Sequence, residues 1–496
     1  MKRKILIILT IMGMWACEDD LVQAPISDPS SANFYRNAQD FEQAVNATYN
    51  ALNGYAVRHF MLSDIRSDMI YSPGTGVREW NPINNFENTL ATNPLMEEAW
   101  NVNFNGILRA NTVLDNINES LVPDTEIRER LIGEAKFLRA IFYFDLVRWF
   151  GKVPVLDHVV TPTEALEIPR APVSEVYDLI EIDLNDAINN LPESYSVKGR
   201  ATSLAAKALL ARVYLTMSGP TYSIEGPGLE ANLYSEALSL LNDVINSGQF
   251  SWVDDYASIF SYTNEGNPDI VFDIQAINDL TTGDRGIGTI LPTTMYDEAY
   301  GRTVTPFAGG VPGDSPIRPS ESYLASFEEN DSRDDFAILP FYIDDNENQV
   351  NNPQFVKFLD LTQLPADRFN WGINFPIIRY TDVLMMKAEA LLQSGGSQTE
   401  VDEIVNMVRE RAGLDPVSNV DLDMLLEERS KEFIAEGLRW HDLVRTGKVL
   451  DVMNAWEQED DAAGKIDGVN ANEIIYAIPL RQLDVKEGLY EQNDGY

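Results

Sequence analysis

Residues 134–151 read EAKFLRAIFYFDLVRWFG, and this stretch decides the fold. It closes a longer run, residues 125–150, in which apolar side chains recur at three- and four-residue intervals, the spacing of one face of an α-helix. Gly151 follows directly and is a typical helix terminator. We therefore predict one long amphipathic helix over this run. Its apolar stripe comprises Ile127, Leu131, Ala135, Leu138, Phe142 and Leu146.

Further helices are predicted on both sides of this one, and they come in pairs. Residues 205–215 are rich in alanine, which permits close approach, and residues 234–245 supply a facing apolar ridge, an arrangement that resembles a tetratricopeptide hairpin. A second such pair is predicted at residues 380–393 and 400–411. The predicted fold class is therefore mainly α, a degenerate tetratricopeptide-repeat helical scaffold. Other stretches with helical spacing are residues 41–52, 95–117, 173–190 and 202–218.

Residues 251–376 differ from the rest because glycine, proline, aspartate and asparagine are frequent there. Only short strand-like segments, such as residues 269–275 and 354–359, are predicted within them. A segment of this length is too long to be one loop. We expect an inserted loop-rich lobe containing short strands, packed on the helices, and irregular surfaces of this kind commonly carry ligand sites.

The composition is that of a globular chain with an acidic surface. The 496 residues are 44% hydrophobic and 10% aromatic, and the formal net charge is −41. A surface of this charge repels nucleic-acid phosphates and anionic lipid. No nucleic-acid partner is therefore expected, whereas a neutral ligand such as a sugar is not repelled.

The N-terminus has the order of a secretory signal peptide. Cations at residues 2–4 precede an apolar run that is too short to span a bilayer. Cys17 is the only cysteine of the chain, so it has no intramolecular disulfide partner. Residues 14–17, MWAC, resemble a bacterial lipobox, in which the cysteine is acylated, and the acidic residues 18–20 resemble the surface-export signal of Bacteroidetes lipoproteins. A chance cysteine in an ordinary signal peptide is the alternative.

The sequence contains no motif of a known catalytic or metal centre. His59, His158 and His441 show no metal-ligand spacing, and no phosphate-binding, dinucleotide-binding or nucleophile-elbow motif occurs. With 78 acidic residues, chance carboxylate pairs are inevitable and do not indicate a glycosidase. Residues 344–348 are acidic but lack EF-hand spacing, so we interpret them as a solvated turn. The sequence predicts a binding protein and not an enzyme, without catalytic residues, cofactor or metal.

Several long motifs resemble the SusD/RagB family of outer-membrane nutrient-binding lipoproteins of Bacteroidetes. The first is the opening stretch, EAKFLRA followed by YFDLVRWFG. One departure is His441, where the family usually has an aromatic residue. The further motifs occur in the family's order, at residues 379–390, 408–414, 428–432, 436–445, 478–481 and 492–496.

Motifs and composition together predict the domain layout. The segments are a signal peptide at 1–16, an acylated tether at 17–31, an N-terminal SusD-like helical region with tetratricopeptide-like hairpins at 32–250, and a SusD/RagB C-terminal region at 251–496, itself divided into the loop-rich lobe at 251–376, helices at 377–450 and a C-terminal tail.

Charged residues of the C-terminal motifs recur at three- and four-residue intervals, which places opposite charges within reach along a helix. We interpret them as structural residues that join the C-terminal helices to the repeats. They are Arg429, Glu432, Glu436, Arg439, Asp442 and Arg445.

The resemblance implies a function at the cell surface. Family members are lipid-anchored in the outer membrane, bind an oligosaccharide or polysaccharide, and deliver it to a SusC-like TonB-dependent transporter. Alternatives are capture of peptides, as RagB-type members perform, a tetratricopeptide-like protein-interaction scaffold without a small ligand, and a hydrolase.

Sugar recognition needs flat aromatic faces and polar groups that loops present from a rigid scaffold. The connection at residues 64–93 is the best candidate, and the resemblance implies glycan contacts there. Trp80 beside Arg78 is the first choice, as a stacking ring next to a forked donor. Core packing is the alternative for each aromatic, and Trp100, Trp149 and Trp440 are interpreted as core. The predicted ligand-binding residues are Arg66, Asp68, Tyr71, Arg78, Trp80, Asn84 and, in the middle lobe, Tyr296 and Trp371.

Overall fold

The computed structural model of the protein describes residues 34–72, 74, 78–278, 288–307 and 309–496. The predicted signal peptide, Cys17 and the tether lie outside the described residues. Among the helices that are described, none is both long enough and apolar enough to cross a membrane.

Helices dominate the described chain. The α-helices are α1 (Ala38–Tyr49), α2 (Tyr55–His59), α3 (Asn81–Asn84), α4 (Pro94–Asn116), α5 (Thr125–Phe150), α6 (Pro162–Ala165), α7 (Val173–Asn190), α8 (Ser203–Met217), α9 (Tyr234–Asn246), α10 (Glu298–Val304), α11 (Glu321–Ala325), α12 (Ser332–Ala337), α13 (Tyr380–Ser394), α14 (Gln398–Arg411), α15 (Leu422–Glu432), α16 (Arg439–Arg445), α17 (Val449–Asp460) and α18 (Leu480–Leu483). A π-helical turn continues α2 over Phe60–Asp64. Short 3₁₀ turns occupy Asn50–Leu52, Leu90–Thr92, Ala257–Phe260, Tyr262–Asn264, Leu291–Thr294 and Ala471–Ile474.

Strands are short and pair only in twos within the described residues. They are β1 (Ile70–Tyr71), β2 (Ile270–Ile274), β3 (Arg318–Pro319), β4 (Ile338–Leu339), β5 (Tyr342–Ile343), β6 (Gln349–Val350), β7 (Gln354–Phe355) and β8 (Phe375–Arg379). The antiparallel pairs are β1–β3, β2–β8, β4–β7 and β5–β6.

The long helices pack side by side in an array. Helix α5 packs on α4 and α7, α8 packs on α7 and α9, α9 packs on α13, and α13 packs on α14. The predicted helical scaffold is therefore confirmed. The loop-rich residues 251–376 leave the array after α9 and return through β8 into α13, which lies against α9. The lobe is thus an insertion between two neighbouring helices, and the pair β2–β8 forms its base.

Helix α5 begins and ends where its sequence predicts. The carboxylate of Asp124 accepts a hydrogen bond from the backbone N–H of Ile127 at 3.2 Å, which caps the first turn. Gly151 ends the helix with φ 66°, and a Cβ there would lie 2.0 Å from the carbonyl oxygen of Glu225. Only glycine fits this position, because both the backbone angle and the close approach exclude a side chain.

The second half of α5 is buried on every side, whereas the periodicity predicts a single apolar stripe. All residues from Phe137 to Phe150 are buried, because α1, α4 and α7 surround the helix and the C-terminal segment contacts its end. Its charged residues are paired inside the protein. Arg139 donates to Asp183 on α7 at 2.7 and 2.8 Å, for example.

The charged C-terminal motifs join α15 and α16 to the helical array, as interpreted from the sequence. They do not lie along one helix, however, because α15 ends at Glu432 and α16 starts at Arg439. The helices also continue beyond the expected boundary at residue 450, to Asp460. The pairs that reach α13 or the residue before it are Arg429–Asp382 (2.9 Å), Arg445–Glu389 (2.6 Å), Arg379–Glu432 (2.9 Å) and Arg379–Glu436 (2.9 Å).

Candidate functional site

The connection between α1 and α4 meets two distant parts of the chain. Ser72 Oγ donates to the carbonyl of Pro316 at 2.8 Å, and Lys465 Nζ donates to the carbonyl of Gly74 at 2.6 Å. The strand pair β1–β3 adds a second link to the middle lobe. We call the described residues among 71–80, together with 314–318 and 461–465, the loop surface. It combines loops from three regions on a helical scaffold, a common arrangement for ligand sites.

Arg78 and Trp80 lie on the loop surface and remain partly exposed. The Arg78 side chain is 34% exposed, and its guanidinium lies 3.6 Å from the Asp314 carboxylate, which is itself exposed. The Trp80 ring packs partly on the main hydrophobic core. Its indole N–H is buried and finds no hydrogen-bond acceptor among the described residues. A donor fork and an aromatic ring are therefore near each other in sequence and partly accessible.

Tyr71 and Asp68 have partners that limit what they offer a ligand. The Tyr71 hydroxyl donates to Asp461 at 3.2 Å, and burial, followed by the nearby Asp461 carboxylate, raises the pKa of Tyr71. Asp68 accepts two hydrogen bonds from Arg439, at 2.8 and 2.7 Å. This bidentate geometry holds the start of the connection against α16.

Arg66 and Asn84 are buried, so neither side chain is available to a ligand in this conformation. Arg66 donates to the carbonyls of Ile83 at 2.9 Å and Glu473 at 2.8 Å, and its guanidinium lies 4.1 Å from the centre of the Phe86 ring. Asn84 accepts from the backbone N–H of Ser72 at 2.9 Å and donates to two carbonyls. Both residues hold the backbone that carries the loop surface, which is a structural role.

Tyr296 and Trp371 are also fully buried. The Trp371 indole donates to Thr293 Oγ1 at 2.9 Å, and its backbone pairs with Thr289. Thr293 Oγ1 also lies 3.5 Å from the Tyr296 hydroxyl, so the structure joins these two predicted residues through one threonine. Their rings belong to the core of the middle lobe and present no face to a ligand. Of the predicted set, Tyr71, Arg78 and Trp80 lie in the loop surface, are partly exposed and stay predictions.

The tryptophans interpreted as core are buried: Trp100 is 4% exposed, and Trp149 and Trp440 are each 1% exposed. The acidic segment at 344–348 forms a turn in which Asp344 accepts backbone N–H groups of Asn346 and Asn348, both at 2.8 Å. Those hydrogen bonds lower the pKa of Asp344.

Two histidines that are distant in sequence meet in the core. The rings of His59 and His441 lie 6.1 Å apart, His59 contacts Asp145 at 3.1 Å, and His441 shares a 2.9 Å hydrogen bond with Ser63. Burial lowers the pKa of both histidines. Across the described ranges, no group of three or more His, Cys, Asp or Glu side chains is arranged to hold a metal ion.

A concavity that the sequence analysis missed lies elsewhere on the described chain. We call it the α1 cleft: it has a volume of about 590 Å³ and lies between residues 46–56, 197–200, 273–277 and 373–375. Its polar lining includes Asn46, Asn50 and Asn53 at the end of α1. The spacing of these amides by four and three residues is the one signal in the sequence that predicts a shared polar face.

Comparisons with known proteins cover almost the whole chain. One family model, described as "Starch-binding associating with outer membrane", matches residues 26–215, and another, described as "SusD family", matches residues 328–496. A SusD-like protein of Formosa agariphila is 27% identical, over 99% of this chain and 98% of its own length.

Solved structures share the fold. A laminarin-binding SusD-like protein superposes with a TM-score of 0.76 at 25% identity, over 93% of this chain and all of its own. Surface glycan-binding protein A from Bacteroides thetaiotaomicron, solved in complex with laminarihexaose, superposes with a TM-score of 0.78 at 24% identity, over 92% of this chain and 99% of its own.

Proposed function

The chain belongs to the SusD/RagB family, and on that premise we propose that it is a cell-surface outer-membrane lipoprotein that binds an oligosaccharide and delivers it to a SusC-like TonB-dependent transporter. The observation that carries the proposal is the pair of family matches, at residues 26–215 and 328–496, which together include most of the helical array. The glycan named for two structural neighbours supports a saccharide as the ligand class.

The loop surface has the chemistry that a sugar needs. Tyr71 and Trp80 offer partly exposed aromatic rings for the C–H faces of pyranose rings, and the partly exposed guanidinium of Arg78 donates to hydroxyl oxygens. The surrounding backbone is held by the buried Arg66 and Asn84. A site prepared in this way loses little conformational entropy when it binds.

Charge supports a neutral cargo. The chain has a formal net charge of −41, so an anionic polymer would be repelled over the whole surface. The protein is proposed to bind and not to cleave its ligand, which is consistent with the absence of a recognised catalytic motif from the sequence.

Attachment to the membrane is proposed through an acyl group on Cys17, the only cysteine in the chain. Replacement by serine, Cys17→Ser, removes the thiol that a lipid requires. In cells, we expect the protein that keeps Cys17 to be membrane-associated and to be labelled by radioactive palmitate. Protease added to the cells should degrade it. Cys17→Ser should lose the label and leave the membrane fraction. Membrane retention of Cys17→Ser without label would contradict the proposed anchor.

The ligand is tested by calorimetry with the Cys17→Ser protein against laminarihexaose, maltohexaose, cellohexaose and a peptide pool. We expect one or more oligosaccharides to bind. Trp80→Ala should weaken that binding by about 2 kcal/mol, roughly 30-fold in Kd, because truncation of an aromatic anchor typically costs this much. Trp252→Ala is the matched control, since Trp252 is also partly exposed but stacks on Arg411 away from the loop surface.

Other results would change the proposed ligand, the non-enzymatic role or the location of the site. Binding of peptides alone would replace the proposed saccharide by a peptide cargo, and release of reducing ends from a bound glycan would overturn the non-enzymatic role. Co-purification with a SusC-like transporter from the native membrane tests delivery. Unchanged glycan affinity in Trp80→Ala would remove the loop surface as the site.

A further inference from the structure

We propose that the α1 cleft is a second saccharide site, separate from the loop surface, and that it takes a neutral oligosaccharide segment. This inference rests on the proposed function, because it assumes that the protein binds glycans. The volume of about 590 Å³ is within the range of small-molecule sites. None of the residues that we predicted to bind ligand lines this cleft.

The apolar part of the cleft suits the C–H face of a sugar ring. Tyr55 and Phe375 line the cleft with ring centres 6.2 Å apart, but they are only 5% and 3% exposed and shape the cleft without offering a free ring face. Val197 and Ile277 also line the cleft, yet their side chains are 55% and 59% exposed. These exposed aliphatic side chains offer the weakly polar contact surface that pyranose rings require.

The amide groups of the cleft match sugar hydroxyls. Asn46, Asn50 and Gln275 are exposed and line the cleft together with Asn53. Each carboxamide has one acceptor oxygen and two donor hydrogens, so one side chain can both donate to and accept from a vicinal pair of hydroxyls. Asn46 already accepts from Arg200 at 2.5 Å, which fixes its orientation.

A buried carboxyl group lies among these amides. Asp273 is 4% exposed and accepts a hydrogen bond from Gln275 Nε2 at 2.7 Å. It lies at an irregularity in the β2–β8 pair, opposite Pro376, which has no backbone N–H to donate. Burial raises the pKa of Asp273 to about 6. A carboxyl placed at a strand irregularity is a typical way to direct a polar group into a site.

The charges in the cleft favour a neutral ligand over an anionic one. The guanidinium of Arg200 is engaged by Glu134, and Glu42 lies 3.5 Å away. Lys198 Nζ donates to the carbonyl of Gly266 at 3.1 Å. Both cations in the lining therefore have partners, and the Asp273 carboxyl would repel a uronate.

The close packing of the cleft wall keeps its shape. Gly199 has φ 74°, and a Cβ there would lie 2.4 Å from Cγ of Gln275. The segment 197–200 can therefore lie directly against the end of β2 only because residue 199 is glycine. This contact holds the Gln275 amide at the cleft and beside the Asp273 carboxyl.

The test uses the Cys17→Ser protein with the double substitution Asn50→Ala and Gln275→Ala. Both side chains are exposed, so the fold should be retained. The matched control is Asn185→Ala, an exposed amide on α7 outside the cleft. Calorimetry with laminarihexaose, maltohexaose and cellohexaose should show about tenfold or greater loss of affinity at one site, because two hydrogen bonds are removed. The control Asn185→Ala should show no loss of affinity. The charged probe trigalacturonate should not bind at this site.

Hydrogen–deuterium exchange locates the site independently of the variants. We expect the bound hexasaccharide to protect peptides covering residues 46–56 and 273–278, and this protection should persist in Trp80→Ala. Protection restricted to residues 64–93, with unchanged affinity in the double variant, would overturn the second site while the proposed function stands. If none of the three hexasaccharides binds the Cys17→Ser protein without further substitutions, both the second site and the proposed function are wrong.

Discussion

Replacing Arg379 by methionine should destabilise the protein strongly, and the difference in unfolding free energy from the natural protein should become smaller at acidic pH. Arg379 is fully buried, and its guanidinium donates to three carboxylates, Asp269 at 3.0 Å, Glu432 at 2.9 Å and Glu436 at 2.9 Å. Methionine keeps the length of the side chain but removes the charge. Arg411 and Lys357 still neutralise part of the cluster, through Glu432 and Glu436. Asp269 has no other salt-bridge partner within the part of the chain that the structure describes.

The magnitude follows from the burial of these groups. Removing one partner of a buried ion pair typically costs about 3–5 kcal/mol, which is a large share of the stability of a folded domain. Burial would raise the pKa of Glu432 from 4.5, but the guanidinium groups of Arg411, Arg379 and Arg333 lower it to about 2. Such a depressed carboxyl contributes stability above pH 4.5 that is lost as the pH falls towards 2, about 3 kcal/mol in all. Arg379→Met should therefore lose less stability than the natural protein as the pH falls.

The assay is urea denaturation followed by tryptophan fluorescence at pH 7.5 and at pH 4. The difference in unfolding free energy between the natural protein and Arg379→Met should be 3–5 kcal/mol at pH 7.5 and smaller at pH 4. Arg481→Met is the control, because Arg481 is 79% exposed and pairs with Glu97 at the surface, where a pair contributes about 0–1 kcal/mol. A loss below about 1 kcal/mol for Arg379→Met, or a difference that grows in acid, would refute this reasoning.

Two further predictions concern the helical core. Gly106→Ala would place a Cβ 2.4 Å from the ring of Phe142, where α4 crosses α5, and should lower the unfolding free energy by about 1–3 kcal/mol. Gly313→Ala is the control, because a Cβ there would have no atom within 4 Å and should leave the unfolding free energy unchanged. Equal urea midpoints for the two variants would contradict this prediction. His441 is buried and its pKa is lowered from 6.5 by burial and then by Arg148, so it is neutral in the fold and stability should fall as the pH drops below 6.5. His441→Phe should reduce that slope by up to about 1.4 kcal/mol per pH unit, and an unchanged slope between pH 7 and 5 would argue against a neutral His441.

Local features of the chain predict the helices well. Predicted and observed bounds coincide for α5 and α7, and differ by one to three residues for most other long helices. The reason is that periodicity, Asp124 at the N-cap and Gly151 at the end act within one or two helical turns. Burial of the charged side chains on α5 was not predicted, because it depends on partners such as Asp183 on α7, which lie 44 positions away.

The exposure of residues in the candidate loops was predicted less well than the bounds of the helices. Arg66 and Trp371 have the chemistry of sugar-binding side chains, yet both are buried. Arg66 reaches a carbonyl 407 positions along the chain, and Trp371 reaches a hydroxyl 78 positions back. An aromatic ring or a guanidinium in a loop has the same sequence signature whether it faces solvent or another segment.

The sequence by itself determined the class of fold, the paired helices, the acidic surface and the family, since each of these rests on local spacing, composition or contiguous motifs. Only the tertiary structure decided which loop residues are exposed and that the α1 cleft exists. The cleft is built from the end of α1, the segment 197–200 and the end of β2. These segments lie far apart in sequence, and no local pattern encodes the packing that brings them together. The two proposed binding surfaces therefore depend on long-range contacts, whereas the helical scaffold depends on short-range ones.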